Sequence, residues 1–120
     1  MTETNNNQKM LDKVIELRDS IIGHSRAVEV LKDNVAHKNY GRTDMKKLIA
    51  FAMADNISRA EEKHKEIKNL VELIEANSDE ADEEDELPGD ARLVESEVND
   101  YINEMKDGKD WAEEKMKFWF

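Results

Sequence analysis

The architecture of this chain is written most plainly in residues 10 to 35, MLDKVIELRDSIIGHSRAVEVLKDNV. Met10, Val14, Leu17, Ile21, Val28, Leu31 and Val35 recur at steps of four and three, with His24 filling the remaining step. A 3.5-residue repeat lays these side chains along one stripe of a long helix that pairs with another helix. Leu11, Ile15 and Ile22 widen the stripe. Gly23 is its weak point, because glycine costs about 1 kcal/mol relative to alanine inside a helix, and a bend or loosened packing is expected there. Val14, Leu17, Ile21, Val28, Leu31 and Val35 are the expected seam of a homo-oligomer, a dimer or larger.

Working outward, NYG at residues 39 to 41 predicts the end of this helix, since Gly41 can adopt the left-handed conformation that closes one. Thr43 then caps a second, shorter helix, DMKKLIAFAMA, with Met45, Leu48, Ile49, Ala52 and Met53 as its apolar face. Asp55 and Asn56 interrupt it. Ser58 and Glu61 form a capping-box pattern that predicts a third helix to about Ala76, on which Ile67, Leu70, Val71 and Ile74 are apolar. The first two turns of that third helix are polar, so only its second half is expected to dock.

Residues 75 to 90, EANSDEADEEDELPGD, contain nine acids and no base. Self-repulsion and the lack of apolar area predict an extended acidic linker, with Pro88 and Gly89 at its far edge. It is not a calcium loop, since the central glycine of such loops is missing. Beyond it, Asp90 caps an amphipathic helix carrying Val94, Val98, Tyr101, Ile102 and Met105. Asp107 and Gly108 stop this helix, and Asp110 with Glu113 opens a last short aromatic one, WAEEKMKFWF. The chain thus divides into an all-α body at residues 1 to 76, an acidic linker at 77 to 90 and a C-terminal segment at 91 to 120.

Composition bounds the function. The chain has 120 residues with 39% charged and 38% hydrophobic side chains, which suits long exposed helices better than a thick core. Without cysteine there is no disulfide, thiolate nucleophile or cysteine-ligated metal. No apolar run reaches membrane-spanning length and the N-terminal stretch lacks the parts of a secretory signal, so a cytoplasmic, non-membrane protein is expected. Neither a glycine-rich phosphate loop nor a GxSxG or HExxH motif is present, so an enzyme is not expected, nor a cofactor. His24 and His64 lie on or near apolar stripes, where a packed or hydrogen-bonded imidazole is the expectation.

Charge is distributed unevenly. Residues 1 to 74 carry 13 bases against 12 acids, whereas residues 75 to 120 carry 5 against 17, giving −11 in all. Arg26, Lys32, Lys38, Arg42, Lys46 and Lys47 concentrate around the first interhelical corner and form a candidate surface for duplex DNA, where bases gain affinity by releasing counterions from phosphates. At the other end of the sequence Trp111, Met116, Phe118, Trp119 and Phe120 form a candidate docking tip for a protein partner, carried by the acidic tail. The competing reading is that these aromatics fold back and complete a thin core.

The order of a long heptad helix, KNYGRTDMKKLIAF and LIAFAMADNISRAEEKHKEIKNLVEL resembles the small helical double-stranded DNA-binding protein of T-even-like phages, and more remotely the GapR-type nucleoid proteins. Lys38, Gly41, Asp44 and Lys46 are similar to that family's lysine, glycine, aspartate and lysine series, with one extra residue between glycine and aspartate. The resemblance covers about residues 20 to 76 and implies a helical oligomer that binds duplex DNA without strong sequence preference. Two readings of other classes stand beside this phage-type accessory role in DNA transactions. One is an acidic mimic of nucleic acid that inhibits a restriction or CRISPR nuclease. The other is a coiled-coil assembly protein.

Overall fold

A computed structural model describes the backbone over residues 2–37, 43–77 and 87–118, and the side chains over residues 7–37, 45–77 and 88–116. Three helices make up the described residues: α1 (Thr2–Ala36), α2 (Thr43–Asn77) and α3 (Leu87–Phe118). The all-α class expected from the sequence is what the structure has, and its shape is a rod of 61 × 18 × 17 Å. A helix of 35 residues is about 52 Å long at 1.5 Å per residue, so each element runs most of the length of the rod.

Pairs of side chains establish how the helices run. Arg18 meets Glu97, and Lys32 lies over Trp111. Both pairs have the same offset in sequence, so α1 and α3 are parallel. On the other side Glu75 meets Arg92, and Glu61 meets Lys106 at 3.3 Å. One number rises as the other falls, which makes α2 antiparallel to α3. The result is an up-down-up bundle in which every helix packs on both others.

Each helix gives the core one stripe. From α1 it takes Leu11, Val14, Leu17, Ile21, Val28 and Val35, with Ser25 filling the central step and Met10 and Leu31 packed at the margin. The stripe expected to be an oligomer seam is therefore buried within a single chain, because α2 and α3 together supply the partner surface. Ile49, Met53, Ile57, Ala60, His64, Ile67, Val71 and Ile74 line α2. From α3 come Ala91, Val94, Val98, Ile102, Met105, Ala112 and Met116, with Tyr101 half-buried, so the expected apolar face of this helix is the one used.

α1 is one helix through Gly23, and two expected breaks are absent. α2 runs unbroken across Asp55, Asn56 and Ser58, so the two short helices read from the sequence are one. The polar pair is satisfied locally: Asn56 donates from Nδ2 to the Ala52 carbonyl at 2.8 Å, and Arg59 donates to Asp55 at 3.0 Å. Burial of Ala60 and His64 also means that the first half of the expected third helix docks as firmly as the second. In the same way α3 passes through Asp107 and Gly108 without stopping. Gly108 is buried there, and a Cβ on it would stand 3.6 Å from Cδ of Lys32 and 3.7 Å from Cγ1 of Val28, ordinary contact distances against α1.

The start of α3 also differs from the sequence reading. Pro88 and Gly89 belong to the first turn of the helix, and Asp90 lies within that turn instead of capping it. Proline suits this position because an amide there would have no carbonyl to bond, and Asp90 faces the positive end of the helix dipole. Residues 91 to 118 are thus the third wall of one body, not a segment separate from it. Most of the expected acidic linker, residues 78 to 86, lies outside the described residues.

Candidate functional site: a basic corner faced by carboxylates

The six bases proposed to contact DNA meet different fates. Arg26 is exposed on α1. Lys32 is half-buried, with Nζ 5.6 Å from the centroid of the Trp111 ring, a cation–π contact that turns it toward α3. Lys46 and Lys47 come together at the start of α2, on the rim of a cleft of about 610 Å³. Facing them across that cleft are Asp110, Glu113 and Glu114 of α3, with Ala50 and Met116 between. Lys38 and Arg42 lie outside the described residues. The corner that read as basic in sequence is thus matched by acids from a helix some 65 residues away, and two of its lysines look onto three carboxylates.

The docking residues divide similarly. Met116 is 4% exposed and Trp111 packs against the core, with Lys32 and Lys115 on its ring. Both pack within the bundle, Met116 buried and Trp111 partly buried, the arrangement that the fold-back alternative describes. The side chain of Phe118, and all of Trp119 and Phe120, lie outside the described residues.

What the linear reading missed is a row of acids along α3. Glu97, Asp100, Glu104, Asp107 and Glu114 follow one another at three- and four-residue steps, with a gap at Trp111, on the side of the helix opposite Val98, Ile102 and Met105. Glu97 lies 3.7 Å from Arg18. Among the described residues Asp100, Glu104, Asp107, Asp110 and Glu114 form no salt bridge. About one turn apart, successive carboxylates stand about 5 Å apart along the axis, against one charge per 3.4 Å along a DNA strand. The signal was available in the sequence, as acids at three- and four-residue steps on the polar side of the expected helix, and continuation past Gly108 adds Glu114 to it.

The chain connecting α2 to α3, residues 78 to 86, holds seven acids and no base. The acid row itself begins at Glu97, within α3.

Two histidines hold the interior together. Nε2 of His24 accepts from Lys63 Nζ at 2.8 Å, and its Nδ1 is 2.8 Å from Asn56 Oδ1. His64 is 9% exposed, and its Nε2 lies 3.8 Å from Glu95 without a hydrogen-bond partner. Burial, aided by the positive charge of Lys68, holds its pKa below the ordinary 6.5 against the opposing pull of Glu95 and Glu61. Both imidazoles are packed or hydrogen-bonded, as their places on apolar stripes implied. No helix among the described residues is long and apolar enough to cross a membrane. Comparison of the chain with protein-family models, with curated proteins and with solved structures gave no match.

Proposed function

We propose that this protein is a non-enzymatic decoy: an acidic helical rod that occupies a cationic surface built on another protein for a nucleic-acid backbone. The observation that carries this reading is the α3 row of carboxylates, of which Asp100, Glu104, Asp107 and Glu114 form no salt bridge among the described residues. Carboxylates at regular spacing on a rigid support attract a positively charged channel as phosphates do, and rigidity limits the entropy lost on binding. The lysines of the basic corner point the same way, since Lys46 and Lys47 share their cleft with Asp110, Glu113 and Glu114, and Glu113 is held by Lys109 at 2.7 Å, so carboxylates there equal ammonium groups in number.

Competition measures it. The chain should displace a labelled random duplex from a restriction or CRISPR nuclease with a cationic groove, should do so less well as salt rises, and should not itself retard the duplex. Replacing Asp100, Glu104 and Asp107 by their amides should weaken displacement on the order of tenfold or more without loss of helicity. Retardation of duplex DNA by the chain alone at physiological salt would overturn the proposal.

That last outcome would restore the DNA-binding reading, for which the exposed Arg26 and the resemblance around Lys38, Gly41, Asp44 and Lys46 speak. Replacement of Arg26, Lys38, Arg42 and Lys47 by Glu would then abolish the retardation.

A further inference from the structure

The apolar core is interrupted at mid-rod by a layer that holds two of the chain's three histidines. Between Ile21 and Val28 the core stripe of α1 is carried by His24, half-buried, and by Ser25, buried. Between Ala60 and Ile67 the stripe of α2 is carried by His64, 9% exposed. The two gaps stand at one height, since Lys63, the neighbour of His64, reaches His24 across the α1–α2 interface at 2.8 Å. Imidazole is the side chain whose charge changes between about pH 5 and pH 8, so this layer is the part of the core that mild acid can charge.

The layer is built for neutral rings. Lys63 has only donors on Nζ, so Nε2 of His24 accepts and carries no proton. A proton there sets two cations in contact and takes from Lys63 its acceptor, while Nδ1 keeps its bond to Asn56 Oδ1. No hydrogen bond or ion pair from α3 reaches His24 among the described residues. At His64 the charged neighbours are Lys68 and Glu61 on its own helix and Glu95 and Lys106 on α3, and α1 adds none. Glu61 and Lys106 are bonded to each other at 3.3 Å, which leaves Lys68 to oppose a proton and Glu95 to favour it. Glu95 stands 3.8 Å from Nε2, beyond hydrogen-bond reach, and that buried nitrogen has no hydrogen-bond partner. A positive charge on either ring is thus poorly compensated where it stands.

We propose that the layer is an acid-sensitive clasp: proton uptake by His24 and His64 together loosens α2 from α1 and α3 at mid-rod, and loss of those protons closes it. Both rings lie on interfaces of α2, His24 packing on it from α1 and His64 packing from it toward α3, so the two charges act on the same helix. Burial already holds the pKa of His64 below 6.5, which means that the closed form resists the proton and the open form takes it as pH falls. The clasp is independent of the decoy reading, because the layer is interior and the α3 acid row is not.

Amide hydrogen exchange of the full chain at about pH 7.5 and about pH 5.5, corrected for the intrinsic rate, tests it. Amides of α2 from Asn56 to Lys68 should lose protection on the order of tenfold or more at the lower pH, with the far-ultraviolet dichroism of a helical protein retained. His24→Gln with His64→Gln should abolish that loss, and either alone should reduce it. Lys63→Gln separates charge from contact, because an amide donates to neutral imidazole and accepts from imidazolium; it too should reduce the loss, and it decides the matter if the paired glutamines unfold the rod. His37→Gln, at the exposed end of α1, should respond as the unaltered chain does. Equal protection at both pH values in the unaltered chain would overturn the clasp, as would a loss that persists undiminished in Lys63→Gln or in the paired variant.

Discussion

Lys63 on α2 donates from Nζ to Nε2 of His24 on α1 at 2.8 Å, which fixes the tautomer of the imidazole. Accepting at Nε2 leaves the proton on Nδ1, which donates to Asn56 Oδ1, and Asn56 passes the chain on to the Ala52 carbonyl. One polar line thus crosses the α1–α2 interface at mid-rod, where the apolar stripes alone would allow the helices to slip by a heptad. Replacing His24 by Leu removes the central link and strands the Asn56 carbonyl. The expected loss is about 1–3 kcal/mol in urea unfolding. A double-mutant cycle of His24→Leu with Asn56→Ala should show coupling of about 0.5–1.5 kcal/mol; strict additivity would mean that the line is not continuous in solution.

Gly23 neighbours this link and is unlike Gly108. A Cβ at Gly23 would have no heavy atom within 4 Å, and the residue is exposed in the middle of a helix. Gly23→Ala should therefore raise stability by about 0.4–1 kcal/mol through helix propensity and a less free unfolded chain. Gly108→Ala meets Lys32 and Val28 at ordinary contact distance and should be accommodated too. Gly108→Leu forces α1 away from α3, with an expected loss of about 1–3 kcal/mol. Thermal unfolding of the three variants would rank them.

His64 should make stability depend on pH in a defined window. Its folded pKa lies below the 6.5 of the free side chain, so below pH 6.5 the unfolded chain takes up a proton that the folded chain refuses. The contribution is complete above that value and is lost as pH falls toward the folded pKa. A His64→Gln variant should lose less stability than the unaltered protein between pH 7 and pH 5, approximately the window that pKa defines. Parallel pH profiles for the two proteins would contradict this.

Because α3 is a wall of the bundle, its truncation should be global in effect. Met105→Ala, at a side chain 1% exposed, should cost about 2–5 kcal/mol. Met116→Ala should also destabilise cooperatively. Unfolding of the second variant followed by far-ultraviolet dichroism and by tryptophan emission should give one transition; two would mean that the C-terminal part folds apart from the rest.

Much of this fold is legible in the residues, but the parts that are not have one cause. Heptad spacing in α1 and the apolar face of α3 identify helices and core positions, since buried side chains must repeat near 3.5 residues to share a seam. What the spacing does not reveal is whose seam it is. Val14 and Ile21 are equally content against a second copy or against α2 and α3, and only chain folding assigns them inward. Interruptions mislead for a related reason: Asn56 and Gly108 look like breakers when propensity alone is weighed, yet Asn56 is satisfied by Ala52 and His24, and Gly108 is buried against Lys32 and Val28. At the candidate site, Lys46 and Lys47 read as a positive patch because the three carboxylates facing them are remote in sequence. Proximity created by folding is what a charge count along the chain omits.

An odd number of helices has a mechanical corollary. With α1 and α3 parallel, Thr2 and Phe118 sit at opposite poles of a rod 61 Å long, so a pull on the two ends loads the helices along their axes and shears all three interfaces at once. Anything fused at one pole is held at a set distance from anything fused at the other, and the molecule behaves as a rigid strut.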